Sequence, residues 1–165
     1  MRGSMTIKDA LNYYKEHFQK CWEDEKYKWV AVQHFQDKWD IDAHDFAGML
    51  EESLSFAFNL LQGGMYYAYK MICVLAKQDP EKMRSLFRHL YDENLPLGQR
   101  LQPFRAGCDE LLEDLRKNAA DPEKVKNHYQ DLRALFVYLS FKYPERYFLF
   151  KYRKKTFLCG FNPST

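Results

Sequence analysis

The chain has 165 residues, is 17% aromatic, and carries 25 Lys and Arg against 23 Asp and Glu. That length fits one domain with a core that needs no disulfide or metal staple, and the near balance of charge excludes a uniform nucleic-acid coat. The charge is nonetheless polarised: residues 1–60 hold seven Lys and Arg against eleven Asp and Glu, 61–120 nine against eight, and 121–165 nine against four.

Met1 to Ser4 reads as an expression leader, so residues 5–158 are taken as the domain and 159–165 as a tail, truncated or vector-derived. Thr6 begins a helix with Asp9 three residues on, a weaker version of the capping box, and Ile7, Leu11, Tyr14, Phe18 and Cys21 step by four and three. This predicts an amphipathic helix buried on that side. Glu23-Asp24-Glu25 suits the start of a second helix, with Trp29, Val32, Phe35 and Trp39 facing inward. Asp42 or Asp45 caps a third helix, whose apolar face runs from Phe46 to Leu61 and which Gly63-Gly64 ends. Met65 to Lys77 is apolar nearly all round and is expected to be central. Asp79-Pro80-Glu81 starts the next helix, which uses Met83, Leu86, Phe87 and Leu90. A loop at residues 94–98 follows, and a helical period from Leu101 to about Lys117.

A second start signal, Asp121-Pro122-Glu123, precedes Val125, Tyr129, Leu132, Phe136, Leu139 and Tyr143, again at steps of four and three. This predicts a long core helix from about residue 121 to Tyr143, where Pro144 ends it, with Lys124 and Lys126 on its wet side. The segment after it is a short strand or irregular. The whole reads as an all-α, single-domain bundle of six or seven helices. The dense aromatics have two readings, a core or a surface on which bases stack.

Chemistry is sparse. The five histidines show no i, i+4 pair suited to a metal, and the phosphate-cradling GxxxxGK loop is missing. Ser53 and Ser55 lie inside a helix, and the acidic clusters are explained as helix starts, caps or a wet face. No catalytic residue, metal or cofactor is expected. The four cysteines form no CxxC pair, and neither a secretory signature nor a bilayer-spanning run occurs, so a cytoplasmic setting with free thiols is expected. The remaining signal is basic. Lys142, Arg146, Lys151, Arg153, Lys154 and Lys155 interleave with Tyr147, Phe148, Phe150 and Tyr152. Cations neutralise phosphates and exposed rings stack on bases, so Lys142, Arg146, Lys151, Tyr152, Arg153, Lys154 and Lys155 are the candidate DNA contacts. The bland alternative has these aromatics finishing the core and the cations solvated. Lys70, Arg84, Arg88 and Arg105 extend the patch only if the fold brings them together.

The run Trp22-x4-Tyr27-Lys28-Trp29, then Phe35-Gln36-x2-Trp39-Asp40-Ile41-Asp42 and Phe46-x2-Met49-Leu50, resembles the N-terminal region of McrB-like AAA+ proteins, the GTPase subunits of modification-dependent restriction systems. Asp79-Pro80-Glu81, Leu90-Tyr91-Asp92-Glu93, His128-Tyr129-Gln130 and Tyr143-Pro144-Glu145-Arg146-Tyr147 fit as well, so the resemblance covers about residues 6–153. It implies a non-catalytic front module that recognises DNA, modified or plain, for an AAA+ motor further along a longer chain, with a nuclease subunit as a further partner. The second reading is a protein-interaction module whose acidic front and exposed Trp and Tyr dock a partner subunit or effector.

Overall fold

In this computed structural model the described residues are 6–149. The first of two compact units runs to Val30 and the second begins at Ala31. The architecture is an all-α helical bundle with eight α-helices among the described residues and one minimal hairpin.

In the first unit, the Thr6 N–H donates to Asp9 Oδ2 at 3.0 Å and the Asp9 N–H donates to Thr6 Oγ1 at 3.2 Å, completing the capping box of α1 (Ile7–Glu16). A turn at His17 leads into α2 (Phe18–Lys38). No helix begins at Glu23-Asp24-Glu25. Those acids sit inside α2, where Glu23 pairs with Lys26 at 2.8 Å and Glu25 with Lys28, and such pairs support a continuing helix. The apolar stripe expected to be buried is exposed: α1 has no buried residue, and Ile7, Leu11, Tyr14, Phe18 and Trp22 all face solvent, as does Trp29. Periodicity groups side chains on a face without saying what covers it. Here the rings pack on near neighbours in the chain, Tyr14 of α1 in a T-shaped contact with Phe18 across the His17 turn and Phe18 stacked on Trp22 within α2.

The second unit starts in α2 at Ala31. Asp45 caps α3 (Phe46–Leu54), its carboxylate accepting the Gly48 N–H at 2.9 Å. A 3-10 turn and α4 (Phe58–Leu61) follow. Where one helix was expected to end at the glycines, the chain instead forms a hairpin: β1 (Gln62–Gly63) pairs antiparallel with β2 (Tyr66–Tyr67), Gln62 opposite Tyr67. Gly64, at φ +57°, supplies the left-handed residue of its turn. α5 (Ala68–Gln78) packs against α3, α6 (Pro80–Leu90) and α7 (Leu97–Asn118), the central place predicted for it. Asp79 caps α6 through the Lys82 N–H. The aromatic core centres on Phe87, which lies 5.1 Å from Phe104, 5.2 Å from Trp39 and 5.4 Å from Tyr138, centroid to centroid. For these rings the core account is the right one.

The long core helix is corrected. Asp121-Pro122 starts only a single 3-10 turn, Pro122–Lys124. The helix proper, α8 (Leu132–Lys142), begins only at Leu132, after its cap Asp131, whose carboxylate accepts the Ala134 N–H at 3.1 Å. α8 is buried on nearly every side, from Ala134 to Phe141 apart from Phe136, so Leu135, Tyr138 and Phe141 join Leu139 of the expected stripe in the core, while Leu132 is exposed. Tyr143 ends it ahead of Pro144, as the sequence indicates. Tyr147 to Leu149 is neither helix nor strand.

Candidate nucleic-acid interface

The stretch between α7 and α8 fails to become helix for reasons that can be counted bond by bond. A helix would have the Val125 and Lys126 carbonyls accept from the Tyr129 and Gln130 N–H groups. Instead Arg116 takes both carbonyls, Nε donating to Val125 O at 2.5 Å and Nη2 to Lys126 O at 2.7 Å. The Tyr129 N–H donates to Asn127 Oδ1 at 2.7 Å, and the Gln130 N–H to His128 Nδ1 at 2.8 Å. Because His128 Nδ1 accepts, its proton sits on Nε2, which donates to Asp109 Oδ1 at 2.9 Å. Gln130, buried, donates to Ala68 O and His128 O and accepts from the Tyr138 hydroxyl at 2.6 Å. With these bonds in place, the backbone tolerates Tyr129 at φ +58°, a conformation bulky residues rarely adopt.

This loop forms one wall of a cleft of about 390 Å³. Tyr67 from the hairpin and Lys70, Met71 and Val74 from α5 form the facing wall. Leu115 of α7 lies with them, and Lys124 to Asn127 and Tyr129 complete it. Lys70, Lys124 and Lys126 are exposed. Among the described residues the acid paired with them is Asp121, 3.0 Å from Lys124 Nζ, so the rim is net positive. Tyr129 lies nearly perpendicular to both Tyr66 and Tyr67, with centroids 6.0 and 5.7 Å away. The Arg133 guanidinium lies 3.5 Å from the centroid of the Tyr66 ring, extending the alternation of rings and cations. Burial, reinforced by the Asp131 carboxylate, pushes the Tyr66 hydroxyl well above its ordinary range, so it stays protonated and donates to Asp131 Oδ1 at 3.0 Å.

The basic residues predicted from sequence are placed differently. Lys142 is half-buried, its Nζ 5.9 Å from the Tyr91 ring centroid. Arg146 donates to Glu93 Oε2 at 2.7 Å, and Tyr147 is engaged beside it, donating to Glu93 Oε1 and accepting from Arg100. Lys151, Tyr152, Arg153, Lys154 and Lys155 lie outside the described residues. Among the four further cations, Lys70 reaches the cleft. Arg84 is buried, donating to Ile41 O and Ala43 O; Arg88 pairs with Asp42; Arg105 is exposed away from the cleft lining. Sequence reasoning missed Lys124, Lys126, Asn127 and Tyr129 as a group because it read them through a helix. The usable signal was Asn127-His128, two side chains that compete with the backbone for its own hydrogen bonds.

Burial pushes the Cys73 and Cys108 thiols up to about 12, which removes their nucleophilic character at neutral pH. Among the described residues no group of three or more His, Cys, Asp or Glu converges to hold a metal ion, and no helix is long and apolar enough to cross a membrane. Compared with known proteins, the chain matches no family model, no curated protein sequence and no solved structure.

Proposed function

We propose that the chain is a non-catalytic DNA-recognition module that binds through the cleft between the hairpin, α5 and the 124–129 loop. The observation that carries this reading is the convergence of Lys70, Lys124 and Lys126 around a hollow walled by Tyr67 and Tyr129. Lysines neutralise phosphates with release of counterions, and tyrosine rings offer faces to bases. The McrB-like aromatic pattern agrees with it: the module recognises, and an AAA+ motor further along a longer chain acts, with a nuclease subunit as a further partner. Fluorescence anisotropy with labelled DNA at low salt tests it. Three phosphate contacts give a slope of log affinity on log salt of about −2 to −3. The triple variant Lys70→Glu, Lys124→Glu, Lys126→Glu should lose that slope. Absence of binding to plain and modified DNA alike refutes the reading.

A second reading, docking of a partner protein, is favoured by one observation in the first unit. Ile7, Leu11, Tyr14 and Phe18 lie exposed on a single face of α1 and the start of α2. Recovery of a protein partner that Leu11→Asp abolishes, with no DNA binding, selects it.

A further inference from the structure

We infer that the cleft takes one unpaired nucleotide, so that the module prefers single-stranded DNA to duplex; this rests on the DNA-binding reading above. The dimensions are the first argument. A hollow of about 390 Å³ lies near the lower end of the range for small-molecule sites, roughly 300 to 1,000 Å³. It has room for a single nucleotide and none for a duplex. The second argument is the distribution of chemistry. Met71, Val74 and Leu115 make an aliphatic floor, half-buried, while the three lysines stand at the rim. A floor of that kind is of use to the face of a ring, and in a duplex the base faces are covered by their neighbours. Only base edges reach the grooves, and among the described residues lining the hollow Asn127 alone carries the planar donor-and-acceptor amide that reads adenine there. Its Oδ1 accepts the Tyr129 N–H, which ties the amide to the loop backbone and leaves Nδ2 to donate to a carbonyl oxygen of an unpaired base.

The third argument concerns Tyr129. Its ring meets Tyr66 and Tyr67 in T-shaped contacts, and its backbone is held at φ +58° by bonds to Asn127 and, through Gln130, to α5 and α8. The ring is thus fixed in place where it borders the hollow, half-buried. Lysine acts on phosphate as a point charge without demanding a fixed orientation, which suits the mobile backbone of a single strand.

The test compares a short labelled oligothymidine with the same strand annealed to oligoadenosine, by anisotropy at low salt. The single strand should bind about tenfold tighter, the size expected from stacking of one base. Tyr129→Asn removes the ring and keeps a residue that tolerates the left-handed conformation. It should weaken single-strand binding about tenfold and leave duplex binding unchanged. Met71→Trp fills the hollow from the α5 side and should do the same. It decides the matter if Tyr129→Asn loses the native near-ultraviolet circular dichroism. Thymidine monophosphate should compete and inorganic phosphate at the same concentration should not. Equal affinity for the two forms, or competition by phosphate alone, overturns the inference and leaves the DNA-binding reading standing. Binding of neither form overturns both.

Discussion

Replacing Glu93 with alanine tests the most concentrated polar feature of the second unit. Glu93 Oε1 accepts from Arg100 Nη1 at 2.5 Å and from the Tyr147 hydroxyl at 2.8 Å, and Oε2 accepts from Arg146 at 2.7 Å. The Arg100 side chain is 4% exposed and that of Glu93 22%. Removing one member of a buried pair costs about 3–5 kcal/mol, because the partner charge is left without compensation. Arg100 keeps two acceptors, Leu90 O at 3.2 Å and Tyr147 Oη at 2.6 Å, so the lower end applies, about 3 kcal/mol. Urea unfolding followed by circular dichroism measures it. A control is Glu81→Ala: Arg84 keeps its two backbone carbonyls and Glu81 is exposed, so the loss stays below about 1 kcal/mol. The pH dependence follows from the same geometry. Burial raises the Glu93 carboxyl, but hydrogen bonds from Arg146, Tyr147 and Arg100 together outweigh it and hold the group below its ordinary value. A depressed folded-state value means the contribution is complete above the unfolded value of about 4.3 and is lost as pH falls through the folded one. Glu93→Gln should therefore flatten the acid limb of the stability curve. A loss under about 1 kcal/mol in Glu93→Ala, with that limb unchanged, refutes the reasoning.

Tyr138→Phe strands Gln130 Oε1, which is buried and has no other donor among the described residues; a loss of about 1–3 kcal/mol in urea unfolding is expected, with faster amide exchange in the 125–130 stretch. At Gly107 a Cβ would sit 2.4 Å from Leu86 Cδ2, so Gly107→Ala should destabilise where α6 meets α7; in a Leu86→Ala background the same change should instead stabilise by about 1 kcal/mol, the helix propensity of alanine over glycine. Cys73 and Cys108, with thiols pushed up to about 12, should stay unlabelled by maleimide at neutral pH and react at the rate of unfolding, as read by peptide mass mapping.

What the sequence carried best was whatever is settled within a few residues. Thr6 and Asp79 cap the helices assigned to them, and Asp45, one of two candidates beside Asp42, caps α3, because the bond runs from a side-chain oxygen to an N–H three residues away and needs nothing distant. The apolar character of α5 was enough to place it centrally. What was illegible depended on remote partners. Asp79-Pro80-Glu81 and Asp121-Pro122-Glu123 are the same local message. The first opens an eleven-residue helix because Met83, Phe87 and Leu90 find a core beneath them. The second stops after three residues because Arg116, on another helix, holds the carbonyls its continuation needs. The basic segment misled in the opposite sense: Arg146 was read as available, and the carboxylate that occupies it is fifty-three residues away. The hairpin at Gln62–Tyr67 is too short for alternation to register at all.

The broken helix and the candidate site are one event. In a helix, Lys124 and Lys126 would stand about 200° apart around the axis, and Tyr129 would belong to the core stripe. Only the interrupted backbone brings both lysines and the Tyr129 ring to one hollow opposite Lys70. Beside the Gln130 contacts, two sets of bonds take the groups a helix would pair: the Arg116 bonds to the carbonyls and the Asn127 and His128 bonds to the N–H groups. Removing one set alone leaves the other blocking the helix. Asn127→Ala with His128→Ala should therefore loosen the loop without raising far-ultraviolet helicity, and Arg116→Ala alone should do likewise. Combining all three frees both the carbonyls and the N–H groups, so the helix of α8 can extend back toward the Pro122 turn, and helicity should rise by about two turns, or roughly seven residues. DNA affinity should fall in the triple variant although Lys70, Lys124, Lys126 and Tyr129 are all still present. If helicity rises and affinity is unchanged, the hollow has no part in binding, and the lysines act merely as scattered charge.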